Sequence, residues 1–293
     1  MTADRPWTSV RGRVLRCVLA TAARGASLDF AAVRAVAAAL RDPGPGVGAV
    51  LLVGEGPNFC TGGDVRAFAA AAEGPGAASG APAGRTGPGS RPSDTAAEGP
   101  DAAPGATGVG ATVRALAGDL HGLVRAVAEV PVPVVAAVHG WAAGAGMSVV
   151  LAADVAVAGT STRLRPGYPG IGFTPDGGMT WTLPRAVGAA RARHILLTDR
   201  VLSAQEAVDL GLVAVVVPDD AVAGEAQRLA ERLAAGPGGA LAGTKRLLRE
   251  SGGRDHGAQL DAEAAAIAEA AAGAEGREGV AAFVERRAPR FRA

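Results

Sequence analysis

Cysteine is nearly absent. The 293 residues hold two, Cys17 and Cys60, with no Cys-x-x-Cys spacing. That count excludes a disulfide framework and a structural zinc site. Aromatic residues make up only 3% of the chain, too few for the stacking platforms that hold single-stranded nucleic acid. Neither sign of charge dominates: 29 Lys and Arg face 28 Asp and Glu, a net of +1. Broad phosphate contact, with nucleic acid or with a membrane surface, is not expected from that balance, although a local basic patch is compatible with it. No apolar run reaches the ~18 residues of a membrane span. Val14–Ala23 is short and interrupted by Arg16, so it reads as a strand rather than a signal peptide. A cytoplasmic protein is the expectation.

What is present is apolar bulk. Hydrophobic residues reach 48%, enough to bury the core of a full-size domain. The 43 glycines and 19 prolines are unevenly spread. Residues 71–110 hold almost no large apolar side chain and cannot offset their own ordering entropy. They are expected to form a disordered insertion; an ordered lid is the alternative. Elsewhere strands and helices alternate. Val14–Thr21, Val47–Val53, Val132–Val138, Val155–Ala158 and Val213–Val217 read as strands, and the fully apolar Val47–Val53 should be buried on both faces. Phe30–Arg41, Val113–Val130, Met147–Ala153, Thr180–Val187, Ala189–Thr198 and Ser203–Leu210 read as helices. Ser203 and Glu206 have capping-box spacing. Beyond Asp219 the chain is Ala-rich and helical. The expected class is α/β with parallel sheet, residues 1–220 forming the core and 221–293 a helical region.

Two glycine-rich turns follow apolar strands and precede helices. One runs from Gly54 through Cys60-Thr-Gly62-Gly63-Asp64, the other from His139 through Gly144-Ala145-Gly146. Glycine after a strand usually marks only a tight turn. Two such turns, however, could aim two backbone N–H groups at one oxygen, the arrangement of an oxyanion hole. Neither fits the dinucleotide or P-loop fingerprint.

PNFCTGGDVRAF, VPVVAAVHGWAAGAGMSVVLAADVAVA and IGFTPDGGMTWTLPRAVGAARARHILLTDRVLSAQEAVDLGLV, in this order, resemble the crotonase superfamily, the enoyl-CoA hydratase/isomerase fold. REGVAAFVERRAPRF resembles the family's C-terminal signature. The resemblance fades before Val47, where relatives usually show an Asn-Ala pair and this chain has GASLDFAAV. It implies a ββα spiral core, a C-terminal helical trimerisation region giving a homotrimer or hexamer, and an acyl-CoA thioester substrate. No metal and no resident cofactor are implied, coenzyme A entering as part of the substrate.

By that resemblance the oxyanion donors are the amides of Gly63 and Ala145, with Gly62, Asp64 and Gly144 beside them. Arg66, Lys245 and Phe283 are candidate coenzyme A contacts, with Arg286 and Arg287 near them. The family's hydratases use two glutamates, whose matches here are Ser148 and Tyr168. Water addition by a glutamate pair is therefore disfavoured. Asp176, in Thr-Pro-Asp-Gly-Gly, matches the catalytic aspartate of relatives that include ring-epoxide isomerases, dienoyl-CoA isomerases and chlorobenzoyl-CoA dehalogenases. It is read as the acid/base of a double-bond or ring isomerisation. The competing reading makes it a turn or N-cap aspartate. Asp64, Asp154 and His139 are read as structural and Cys60 as buried. Trp141 suits either the acyl pocket or the core. His121 and His194 lie on helices with no partner that spacing reveals. A hydratase, a hydrolase or dehalogenase, and a non-catalytic acyl-CoA-binding or assembly partner are the alternative functions.

Overall fold

The computed structural model describes residues 7–63 and 109–291. These belong to two compact units. The larger contains described residues 7–63 and 119–291; the smaller is described only over 109–118. Along the chain, β1 (Thr8–Arg11) turns at Gly12 into β2 (Val14–Ala20). α1 (Phe30–Arg41) is capped by Asp29, whose carboxylate accepts the amides of Ala31 and Ala32. β3 (Ala49–Gly54) follows. Of the expected insertion, residues 71–108 lie outside the described residues. Val109 and Gly110 are not part of a disordered stretch, because they already belong to α2 (Val109–Glu129).

Next come β4 (Val134–Val138), β5 (Trp141–Ala143), α3 (Ala145–Ala152), β6 (Val155–Gly159) and β7 (Arg163–Arg165). α4 (Met179–Val187), α5 (Ala189–Leu197), β8 (Leu202–Ser203), α6 (Ala204–Asp209) and β9 (Val215–Val217) complete the alternating part. The Ser203–Glu206 capping box is present at α6. α7 (Val222–Ala234), α8 (Gly238–Ser251), α9 (His256–Ala272) and α10 (Ala274–Val284) end the described chain.

The main sheet runs in the order β1-β2-β3-β4-β6-β9, parallel except for the antiparallel β1–β2 pair. A second sheet, β5-β7-β8, is built from strands too short for sequence patterning to reveal. Side chains of the main strands alternate between two cores, as a period of two demands. Leu15, Cys17, Leu19, Val50, Leu52, Val134, Ala136 and Val138 face α1, the later turns of α2, and α3. Val14, Val18, Ala49, Leu51, Val53, Val135 and Ala137 face α7.

α7 buries Val222, Ala226, Ala230 and Ala234 against the sheet, with Leu229 and Leu233 packed beside them, and the small alanines let it sit close. Gly48 shows how close: a Cβ there would stand 2.7 Å from the Ala234 carbonyl oxygen. α8, α9 and α10 bury little of their own surface and leave Leu248, Leu260, Ile267, Val280, Phe283 and Val284 exposed. No described helix is long and apolar enough to cross a membrane.

Candidate active site

The two glycine turns meet back to back. Beyond β3 the chain folds over, and a Cβ on Gly54 would lie 2.1 Å from the Phe59 carbonyl oxygen. The Phe59 amide then donates to the His139 carbonyl, and the Cys60 amide to Trp141, at 2.8 and 3.0 Å. The Cys60 carbonyl accepts from Ala143 at 2.9 Å, forming a parallel bridge between Cys60 and Ala142. Asn58 Oδ1 accepts the Trp141 amide at 2.9 Å. Gly146 has no room for a side chain, since a Cβ would stand 2.2 Å from the Cys60 carbonyl oxygen. Gly62 and Gly144 are both left-handed, at φ 95° and 55°. A Cβ on Gly144 would lie 3.7 Å from Gly62 Cα.

Gly63 and Ala145 each follow directly from this junction. Ala145 is the first residue of α3, where the amide has no intrahelical acceptor and the helix end carries partial positive charge. Among the described residues neither amide finds a protein acceptor. The unusual GASLDF segment braces the first turn: the Leu28 amide donates to the Gly62 carbonyl and the Thr61 amide to the Ala26 carbonyl, both at 2.8 Å.

Beside the junction lie Asp176, the expected acid/base, and Ser148 and Tyr168, which stand where the family's hydratases carry glutamates. A Cβ on Gly144 would stand 4.0 Å from Tyr168 Cζ. The Tyr168 hydroxyl donates to Asp176 Oδ1 at 2.6 Å. Ser148, fully buried on α3, donates through Oγ to the Asp176 carbonyl at 3.0 Å. Burial first, and then the adjacent Asp176 charge, push the Tyr168 phenol well above the ordinary tyrosine range. It is therefore a fixed hydrogen-bond donor. Asp176 does not cap α4. The N-cap is Gly178, with no side-chain bond, so the N-cap reading falls because the carboxylate is engaged by Tyr168 instead.

His121, on α2, accepts the Gly177 amide at its Nε2, 3.3 Å away. Spacing gave no hint of this contact, since 56 residues separate the two. Gly177 itself is left-handed at φ 61°, and a Cβ would strike Ser148 Cβ at 2.6 Å.

The other expected residues fare differently. Asp64 and Arg66 lie outside the described residues. Lys245 is not a solvated cation waiting for phosphate: its ammonium donates to the carbonyls of Val127 and Val132 and to Asp154 Oδ2, at 2.8, 3.3 and 2.7 Å. Those bonds use all three of its protons. Asp154 also accepts the Val134 amide at 2.7 Å, which agrees with a structural role. Phe283 is exposed on α10, and Arg287 is paired with Glu278 and Glu285. His139 donates from Nε2 to the Gly56 carbonyl. Trp141 is partly exposed rather than part of the core, and Trp181 lies under the Arg185 guanidinium, 3.7 Å from its ring centroid. Cys60 is buried, and burial pushes its thiol up to about 12.

Comparison with known proteins identifies the family. The enoyl-CoA hydratase/isomerase family pattern matches residues 99–293. A probable enoyl-CoA hydratase of Rhodobacter capsulatus is 41% identical over 58% of this chain and 66% of its own length. The 1,2-epoxyphenylacetyl-CoA isomerase of Escherichia coli is 39% identical over 58% of this chain and 64% of its own. The chain thus spans just under two thirds of the length of these curated relatives. The crystal structure of an enoyl-CoA hydratase from Polaromonas sp. JS666 superposes with a TM-score of 0.79 at 30% identity, covering 97% of this chain and 98% of that one. The chain belongs to the enoyl-CoA hydratase/isomerase family of the crotonase superfamily.

Proposed function

We propose that this protein isomerises an acyl-CoA thioester, at a double bond or in a ring, with Asp176 as the proton carrier. The amides of Gly63 and Ala145 grip the thioester carbonyl oxygen. Two such donors favour the enolate over the neutral thioester, each contributing about 2.7–4 kcal/mol in comparable sites. Asp176 takes a proton from a carbon next to the conjugated system as the C–H electron pair moves into the enolate. It exchanges that proton with water while the enolate is held and then delivers a proton to a different carbon, so nothing is gained or lost overall. Tyr168 fixes Oδ1 of Asp176, which leaves Oδ2 to carry the proton.

The observation that carries this reading is the Tyr168–Asp176 bond, with Ser148 behind it. At the two positions matched to hydratase glutamates stand a phenol held neutral and a buried hydroxyl. Neither can serve as the second carboxylate of a water-adding pair. Hydration by Asp176 alone is the second reading, favoured by the name of the Rhodobacter capsulatus relative.

Coenzyme A is part of the substrate in this reading. Arg66 and Phe283 are its proposed contacts, and Lys245 is not. The apolar side chains of α8, α9 and α10 support a homotrimer or hexamer, and a cytoplasmic location suits the substrate.

The test is to incubate the protein with enoyl-CoAs that differ in double-bond position and with a ring-epoxide acyl-CoA, then separate the products. Isomers of unchanged mass are expected. Asp176→Asn should abolish them while retaining calorimetric binding. Products heavier by one water would favour hydration. Binding without any turnover would point to a non-catalytic partner.

A further inference from the structure

The geometry points to Asp199 as a positioning residue that ties the carbonyl-gripping turn to the Tyr168–Asp176 pair. Asp199 lies just beyond α5 in a left-handed conformation, φ 50°. The Arg200 amide returns to the Ile195 carbonyl at 3.0 Å, a helix-ending closure whose left-handed position is most often glycine. Aspartate there is strained where glycine would not be. Its carboxylate supplies a reason for keeping it. Oδ2 accepts from Arg165 Nε and Nη2 at 2.9 and 2.6 Å, and Oδ1 accepts the Gly167 amide at 2.7 Å. The Asp199 side chain is only 12% exposed, so the carboxylate end of these charge-assisted bonds is shielded from water, while the Arg165 side chain is partly exposed.

One carboxylate therefore holds residues 165 and 167 together, and each has a task at the site. The Arg165 carbonyl accepts the Gly144 amide at 3.0 Å, which orients the backbone just before Ala145. Gly167 is left-handed at φ 76°, and a Cβ on it would stand 3.3 Å from the Gly144 nitrogen. Tyr168 follows immediately and holds Asp176. Asp199 is placed to brace a proposed oxyanion donor and the proposed acid/base through one short segment, without itself contacting either. As far as turnover is concerned, this rests on the function proposed above. The geometry does not.

The decisive comparison is wild type against Asp199→Gly and Asp199→Asn. Glycine suits the backbone, so a mere turn residue would tolerate that change in every respect. A positioning residue predicts a kcat lower by about 100-fold in Asp199→Gly, the scale of a small misplacement, with KM little altered. Asp199→Asn keeps an acceptor for Gly167 and should recover part of the loss.

A second readout needs no turnover. Tyr168 is the only tyrosine in the chain. In folded Asp199→Gly its phenolate band should appear nearer the ordinary pH of about 10 than in wild type. Asp199→Asn should shift it less, and that variant carries the test if the glycine variant does not fold. Wild-type kcat in folded Asp199→Gly, or an unmoved Tyr168 titration, would overturn the assignment. If wild type converts no acyl-CoA, the proposed function fails, while the titration still decides the role of Asp199.

Discussion

Tyr168 and Asp176, eight residues apart on either side of a short helical turn, share a 2.6 Å hydrogen bond in which the phenol donates. The phenol is buried and cannot readily ionise, so the bond keeps its polarity across the working pH range. Ser148 holds the backbone of the same aspartate from the opposite element, α3. The carboxylate is thereby fixed relative to the helix whose first amide is the proposed oxyanion donor.

Removing that amide should slow the chemistry while sparing the fold. Ala145→Pro deletes one N–H at the first position of α3, where proline is tolerated because no intrahelical bond is lost. The expected effect is a kcat about 100- to 1000-fold lower. Steady-state kinetics together with the unchanged far-ultraviolet circular dichroism of the folded variant would check it.

The lone tyrosine makes its own titration visible. The folded-state pKa of Tyr168 lies above its unfolded value of about 10. Its neutral form therefore contributes stability that is fully present below that pH and is lost as pH rises toward the folded-state value. Spectrophotometric titration should show little phenolate until the alkaline unfolding transition. Tyr168→Phe should lose part of this alkaline sensitivity. It should also turn over more slowly, because Asp176 Oδ1 loses its donor.

Both thiols should be silent in the native protein. Burial pushes Cys17 and Cys60 up to about 12, so almost no thiolate exists near neutral pH. A chromogenic thiol reagent should label neither in buffer and both in denaturant. Rapid native labelling of Cys60 would contradict the packing of the first glycine turn.

Gly146→Ala tests the contact between the two turns. The added Cβ would fall 2.2 Å from the Cys60 carbonyl oxygen, and backbone on both sides must move. Overpacking of this kind costs about 1–3 kcal/mol or more. Urea unfolding should give a lower midpoint with a similar slope.

Much of this was legible in the residues. Phe30–Arg41 matches its expected span, and the expected strand Val47–Val53 forms as Ala49–Gly54, two residues later at its start, buried on both faces because its apolar run admits no solvent side. The capping box at Ser203 formed because its partners are three residues apart. The second sheet was not legible, since strands such as Trp141–Ala143 are shorter than any period can declare. Lys245 looked like a surface cation because its partner Asp154 lies 91 residues away. His121 stayed hidden for the same reason, its partner lying 56 residues away, while the Tyr168–Asp176 pair is closed by an irregular turn that no helical or strand period marks. Hydrogen bonds between elements leave no mark on local spacing. Asp176 itself could be picked out only through the family resemblance, because Pro-Asp-Gly reads equally well as a plain turn.

Hydrogen exchange at carbon tests the whole account most directly, because enolate formation precedes any product. The protein would be held with a bound acyl-CoA in heavy water and the thioester recovered for mass spectrometry. Deuterium should enter the acyl chain beside the carbonyl or at the conjugated position with wild type. It should enter far more slowly with Asp176→Asn and with Ala145→Pro. No incorporation into any acyl-CoA that binds, or undiminished incorporation with Asp176→Asn, would contradict it.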